Sequence, residues 1–284
     1  MNATCILDAR SVLAEGPVWH QDHLWWVDIE RGEVHAYSPQ SGQDRHWRFP
    51  HRIGFVIPTR HADFLVGTDR GIARFHPDRE GLQFVVNPEP DIPGNRFNDA
   101  KCDAAGRLWA GTMAIDESPE RGSLYRLNPD LTLTRAVSKI SISNGLAWSP
   151  DGGTLYYIDS PTRRVDAFDF DPTQGTISAR RTVIEATDGF PDGMAIDHQG
   201  HLWIALWGGW CVACYDPASG RRLQQIDVPV EAVSSCCFGP DDTLYITTAS
   251  RDVTDATRSR QPQAGGIFAA QVGVSGPTPP LFAA

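Results

Sequence analysis

Four oxygen-bearing side chains occupy matching places along this 284-residue chain. Glu15 opens Glu15-Gly16-Pro17-Val18-Trp19, Asn98 opens Asn98-Asp99-Ala100-Lys101-Cys102, Asn144 opens Asn144-Gly145-Leu146-Ala147-Trp148, and Asp192 opens Asp192-Gly193-Met194-Ala195-Ile196. They lie 9, 10, 11 and 10 residues before Leu24, Leu108, Leu155 and Leu202, and each of those leucines starts a short aromatic or aliphatic run. Two carboxylates brought together repel, and the pKa of one rises unless a cation sits between them. Oxygen ligands from Glu, Asn and Asp suit hard divalent cations, Ca²⁺ and Mg²⁺ foremost, and also admit Mn²⁺, Zn²⁺ and Fe²⁺. One divalent metal is therefore expected, with the two anionic ligands balancing its charge and positions left open for water and substrate. Asn-Gly and Asp-Gly pairs commonly make turns, but turn chemistry does not account for Glu15 ahead of Gly16-Pro17.

Bringing four such distant residues together requires a repeat, and the leucine runs supply one. His23-Leu24-Trp25-Trp26, Phe64-Leu65-Val66, Arg107-Leu108-Trp109, Thr154-Leu155-Tyr156-Tyr157, His201-Leu202-Trp203 and Thr243-Leu244-Tyr245 follow one another at leucine spacings of 41, 43, 47, 47 and 42 residues. A second strand-like run follows each anchor, for example Val34-His35-Ala36-Tyr37 and Val212-Ala213-Cys214-Tyr215. Short alternating runs bounded by Gly, Pro, Asn and Asp are strand signals, and no segment sustains a 3.6-residue apolar period. Units of this length match the four-stranded blade of a propeller. The expected fold is all-β, a six-bladed β-propeller forming one domain over residues 1–284. Residues 267–270 leave the last blade a strand short, and Ala3 to Ala9 supply it, closing the ring. The four oxygen-bearing residues then start innermost strands and converge on the axis, while the two remaining slots fall near Ile53 and Ser234.

Charge and composition exclude several classes. Lys plus Arg total 25 against 35 Asp plus Glu, a formal charge of −10, with no basic block to track phosphates, so no nucleic-acid partner is expected. No apolar run approaches the ~18 residues of a membrane span, and no membrane partner is expected. Met1 to Arg10 lacks the pattern of a secretory signal, so a cytoplasmic protein is expected, a monomer or weak oligomer. Its 6 cysteines are read as free thiols. An offset of three sends Cys211 and Cys214 to opposite faces of a strand, and the adjacent Cys236 and Cys237 diverge likewise. The 9 histidines have no HExxH or other ligand spacing and are read as turn and surface residues.

At these same segments the chain resembles the sugar-lactonase propellers of the regucalcin and gluconolactonase family. The resemblance runs from Glu15-Gly16-Pro17-Val18-Trp19 through Asn95-Arg96-Phe97-Asn98-Asp99, Ala110-Gly111-Thr112-Met113, Ser143-Asn144-Gly145-Leu146, Tyr157-Ile158-Asp159-Ser160 and Pro191-Asp192-Gly193-Met194 to Ser235-Cys236-Cys237-Phe238-Gly239. It implies a metal held by Glu15, Asn144 and Asp192, with Asp192 also the catalytic general base. It further implies substrate contacts from Arg96, Asn98 and an acidic residue after the Gly-Thr-Met run, for which Asp116 is the nearest match, with Glu117 adjacent. Ala100 stands where Gly often follows Asn-Asp in the family, a departure of little chemical consequence. Trp207-Gly208-Gly209-Trp210 sets two aromatics near the expected mouth, where they either stack on a sugar ring or pack between blades.

The implied reaction is hydrolysis of a sugar lactone to its aldonic acid, a carboxylic-ester hydrolysis. Water attacks a carbonyl polarised by the cation, and Asp192 takes the proton. The planar fork of Arg96 suits a hydroxylated ligand. A metal-dependent esterase or phosphotriesterase on the same site, or a non-enzymatic calcium-binding propeller, are the alternatives.

Overall fold

The computed structural model describes residues 1–284, and the repeat read from the leucines is its architecture. Six four-stranded antiparallel sheets follow one another around a central tunnel. Their innermost strands are Ala14–His20, Ile53–Pro58, Asn95–Cys102, Ser143–Trp148, Phe190–Ile196 and Val233–Phe238. The second strands, His23–Asp28, Phe64–Thr68, Leu108–Ala114, Thr154–Asp159, Leu202–Trp207 and Thr243–Thr248, carry the anchors. The sixth sheet takes its outermost strand from the start of the chain: Thr4–Leu7 pairs antiparallel with Ile267–Gln271, Cys5 opposite Phe268. The ring closes as expected. Helix is confined to single turns at Ser160–Thr162 and Asp255–Arg258.

All six anchor leucines are fully buried. They do not meet in one core. The apolar side chains form six wedges, one at each interface between neighbouring blades. Trp109, for instance, packs with Leu146 and Phe170 of the following blade. Each blade thus buries its two faces against its neighbours, which is how a ring of sheets avoids the need for an axial core.

The turns that lead into the anchor strands explain the recurring Asp–x–x–Gly–x–Leu–Trp. Oδ1 of Asp103 accepts from the amides of Ala105 and Arg107 at 3.0 and 3.1 Å, and Oδ2 accepts from the Trp109 indole at 3.0 Å. Asp197 repeats the arrangement with Gln199, His201 and Trp203. The carboxylate satisfies the turn's amides and the buried indole N–H together. These turns lie at the end of the tunnel away from Glu15, Asn144 and Asp192.

The cysteines are free, as expected. Cys211 and Cys214 enter different inter-blade wedges, as do Cys236 and Cys237. The reading of the histidines needs correction at one position. His35 is a buried strand residue stacked on Trp26, with ring centroids 3.8 Å apart.

Candidate active site

The innermost strands share one irregularity that aims their side chains. In every blade, the pairing between first and second strand slips by one residue near the start of the first strand. Glu15 pairs with Val27 but Val18 with Trp25; Phe97 with Thr112 but Ala100 with Ala110; Ser143 with Asp159 but Leu146 with Tyr157; Pro191 with Leu206 but Met194 with Ile204. The same slip falls at Gly54 and Ser234 in the other two blades. Each slip is a β-bulge, which bends the strand and re-aims a side chain. Asn98, Asn144 and Asp192 lie inside their bulges and Glu15 borders its own, all four at one end of the tunnel.

Hydrogen bonds join these residues across blades. Arg96 donates to the Phe97 carbonyl at 3.0 Å and to Oδ1 of Asn98. Nδ2 of Asn98 donates to Oδ1 of Asn144 at 2.8 Å and to the Ser143 carbonyl at 2.7 Å. Nδ2 of Asn144 donates to Oγ of Ser160 at 2.7 Å, and that hydroxyl donates to the Pro191 carbonyl at 2.6 Å. The chain of bonds runs from Arg96 to the strand bearing Asp192 and leaves each amide one orientation. Ser160 was not singled out from the sequence; it stands after an anchor strand, and only the fold carries it to the site.

The carboxyls are far less well served. Glu15 accepts one hydrogen bond, from the Gly16 amide at 2.9 Å, and no hydrogen bond or ion pair reaches Asp192, although both are buried. Burial, then the nearby Asp99 carboxylate, pushes Glu15 up to about 8 despite the Gly16 amide and Arg96. Burial, then Glu15 and Asp99, holds Asp192 well above the usual carboxylate range. Asp99 is itself raised by burial, and its Oδ2 is buried with no partner. Three buried carboxyls thus lie near Arg96 and Lys101. A divalent cation fits this donor set, since no cationic side chain is bonded to Glu15 or Asp192.

Asp116 stands apart. It is exposed, its Oδ1 accepts from the Ser118 amide at 3.0 Å, and that bond lowers its pKa. Its neighbour Glu117 forms an ion pair with Arg251 at 2.6 Å. These residues belong to the loops after the second strands of the third and sixth blades, which stand opposite each other in a six-membered ring. The pair therefore crosses the mouth. Arg251 also lies 5.7 Å over the ring of Trp207. Trp207 borders a groove on this face with Phe190, Arg163 and Glu231, whereas Trp210 is exposed outside it.

Behind the site, a cavity of about 280 Å³ occupies the far end of the tunnel, lined by Asp99, Lys101, Trp148 and Phe238. The C-terminal segment covers it at Pro277–Pro280, anchored by the fully buried Phe282, whose amide donates to the Pro58 carbonyl at 3.0 Å. Asp99 thus faces this cavity while its charge is felt by Glu15 and Asp192.

Residues 13–250 match the family model described as SMP-30/Gluconolactonase/LRE-like region. The chain belongs to this family. Among SMP-30/gluconolactonase relatives, a Bacillus subtilis (strain 168) protein provisionally named sugar lactone lactonase YvrE is 38% identical over 289 residues, covering 100% of this chain and 99% of its own. Regucalcin of Gallus gallus is 38% identical over 98% of this chain and 97% of its own. Among solved structures, a regucalcin from Agrobacterium tumefaciens, described as a calcium-binding protein, superposes with a TM-score of 0.94 at 28% identity, covering 100% and 98% of the two chains. The SMP-30/gluconolactonase assignment makes this a lactonase-family propeller with its converging residues at the mouth of the ring.

Proposed function

We propose that this protein hydrolyses a sugar lactone to the aldonic acid, that the reaction depends on one divalent cation, and that Glu15, Asn144 and Asp192 hold the ion. The observation that carries this reading is the burial of Glu15 and Asp192 in one mouth with no cationic side chain bonded to either. A cation held there supplies counter-charge and polarises the ester carbonyl.

The protein's own groups do the rest. Asn98, fixed between Arg96 and Asn144, and Arg96 itself orient the hydroxylated substrate by hydrogen bonds. Asp192 takes the proton from the attacking water and returns it to the leaving ring oxygen, since an ester hydrolysis needs one proton removed and one supplied. The Glu117–Arg251 pair shields the mouth from bulk water and places an acidic residue of the third blade's loop over the substrate. Asp116, one residue before it, sets the turn that presents Glu117. The substrate is a small lactone, and neither nucleic acid nor membrane is involved. No helix is long and apolar enough to cross a membrane. We place the protein in the cytoplasm as a monomer or weak oligomer.

The test is a pH-stat assay over five- and six-carbon sugar lactones and a paraoxon-like ester, after chelation and with metal add-back. Calcium is the first ion to try, because the Agrobacterium regucalcin is described as calcium-binding. Lactone turnover that vanishes on chelation and returns with one ion supports the reading. Undiminished turnover in chelator refutes metal dependence, and turnover of the ester alone moves the assignment to an esterase or phosphotriesterase.

A further inference from the structure

We propose a second metal site, for a zinc-class divalent ion, formed by His35, Asp44 and His46 on the outer half of the first blade, with Glu33 supporting it. His35 and His46 are directly opposite each other on the paired strands Glu33–Ser38 and Gln43–Arg48. Asp44 is two residues from His46 and Glu33 two from His35, so strand alternation puts all four on one face of the sheet. One ligand atom from each of His35, Asp44 and His46 lies within 4.8 Å of the others. Nδ1 of His35 is 2.8 Å from Oδ2 of Asp44, and its Nε2 is 3.5 Å from Oε2 of Glu33.

Two observations point to a ligand. Oδ1 of Asp44 is buried without a hydrogen-bond partner, and Nε2 of the buried His35 has no nearer polar partner than the Glu33 carboxylate at 3.5 Å. The ring of His35 is also held in plane by stacking on Trp26 at 3.8 Å and 13°. A histidine that binds metal through one nitrogen characteristically gives the other N–H to a carboxylate, which fixes its tautomer. With Nδ1 on the metal and the proton on Nε2, Glu33 is that carboxylate. Exposed His46 closes the shell from the solvent side and leaves a position for water.

Two imidazoles and one carboxylate select Zn²⁺, Ni²⁺ or Cu²⁺ over Ca²⁺. The site differs in class from the all-oxygen mouth. It also has a structural consequence. Tyr37, two residues beyond His35, donates to the Ile6 carbonyl of the closing strand at 3.1 Å. An ion here clamps the first blade's outermost strand beside the seam of the ring.

The competing account is an imidazolium of His35 lying between Glu33 and Asp44 with no metal. Full-length protein is stripped with chelator and titrated with Zn²⁺ against a chromophoric competitor, and with Co²⁺ for its visible d–d bands. The double variant Glu15→Gln/Asp192→Asn isolates the new site from the mouth. It is expected to bind one Zn²⁺ and to melt at higher temperature when loaded. His46→Ala, an exposed change that spares the core, is expected to lose at least tenfold in that background, and Glu33→Gln ~10–100-fold. Failure of the double variant to bind Zn²⁺ or Co²⁺ at low micromolar concentration, or binding unaffected by His46→Ala, overturns the proposal in favour of the ion pair.

Discussion

Asp192 lies buried with no hydrogen bond at its carboxyl, so its ionised form is favoured only at a distance, by Arg96 and Arg251, and these are outweighed by burial, Glu15 and Asp99. Replacing it with asparagine keeps the volume and removes the charge. Asp192→Asn is expected to lower kcat by ~10²–10⁴, the usual worth of a positioned general base. It should also raise the melting temperature of the chelated protein. Steady-state lactone hydrolysis and a thermal melt in chelator check both. Glu15 has a pH signature of its own. In the metal-free fold its pKa rises from 4.5 to about 8, so the folded state holds a proton that the unfolded state releases. The stability associated with Glu15 is therefore present below pH 4.5 and is lost progressively as pH climbs to about 8. Urea denaturation in chelator should show that decline in the parent protein, with a shallower one in Glu15→Gln; equal slopes would contradict it. At this scale the four register-matched residues were legible, because their spacing from the leucines is a property of the chain. Asp99, Ser160 and the Glu117–Arg251 pair were not, because their roles rest on contacts between blades.

The bulge is the element that makes the site, and it imposes its own demand. Neighbouring innermost strands approach so closely there that a side chain on the bulge meets the next blade. A Cβ at Gly54 would sit 2.3 Å from the Phe97 carbonyl oxygen, and one at Gly145 would sit 2.8 Å from that of Asp192. Gly145→Ala must push on the strand that carries Asp192. We expect a loss of about 1–3 kcal/mol, as for overpacking in a tight interior, with a fall in kcat/KM beyond what unfolding explains. Denaturant titration alongside kinetics checks this. The Asn-Gly and Asp-Gly pairs, which read locally as turn signals, are thus bulge residues whose glycines allow blades to touch. The loops over the mouth act at the same scale. Arg251→Ala removes the ion pair that crosses it, and is expected to raise KM several-fold with little change in melting temperature, since a partly exposed pair contributes ~1 kcal/mol or less to folding.

The ring as a whole depends on closure. Its stability is spread over six inter-blade wedges, and the seam between the sixth and first blades is made by strands from opposite ends of the chain. Deleting residues 1–7 bares the edge of Ile267–Gln271, and an unpaired strand edge invites association. A lower melting temperature and concentration-dependent light scattering are expected. A truncated protein that melts like the parent would show that the seam does not need the strand. Blade number, strand content and the closing strand were all readable beforehand, because a repeat of one leucine-anchored pattern at 41 to 47 residues is local chemistry recurring, and only one ring accommodates it. So was the placing of Glu15, Asn98, Asn144 and Asp192 at the starts of innermost strands. That Glu117 rather than Asp116 pairs with Arg251, that His35 is buried, and that Asp99 lines the rear cavity were settled by the folded chain. Those outcomes depend on bulge geometry and on opposition across the ring, which arise between segments more than a hundred residues apart and leave no periodic trace in the order of amino acids.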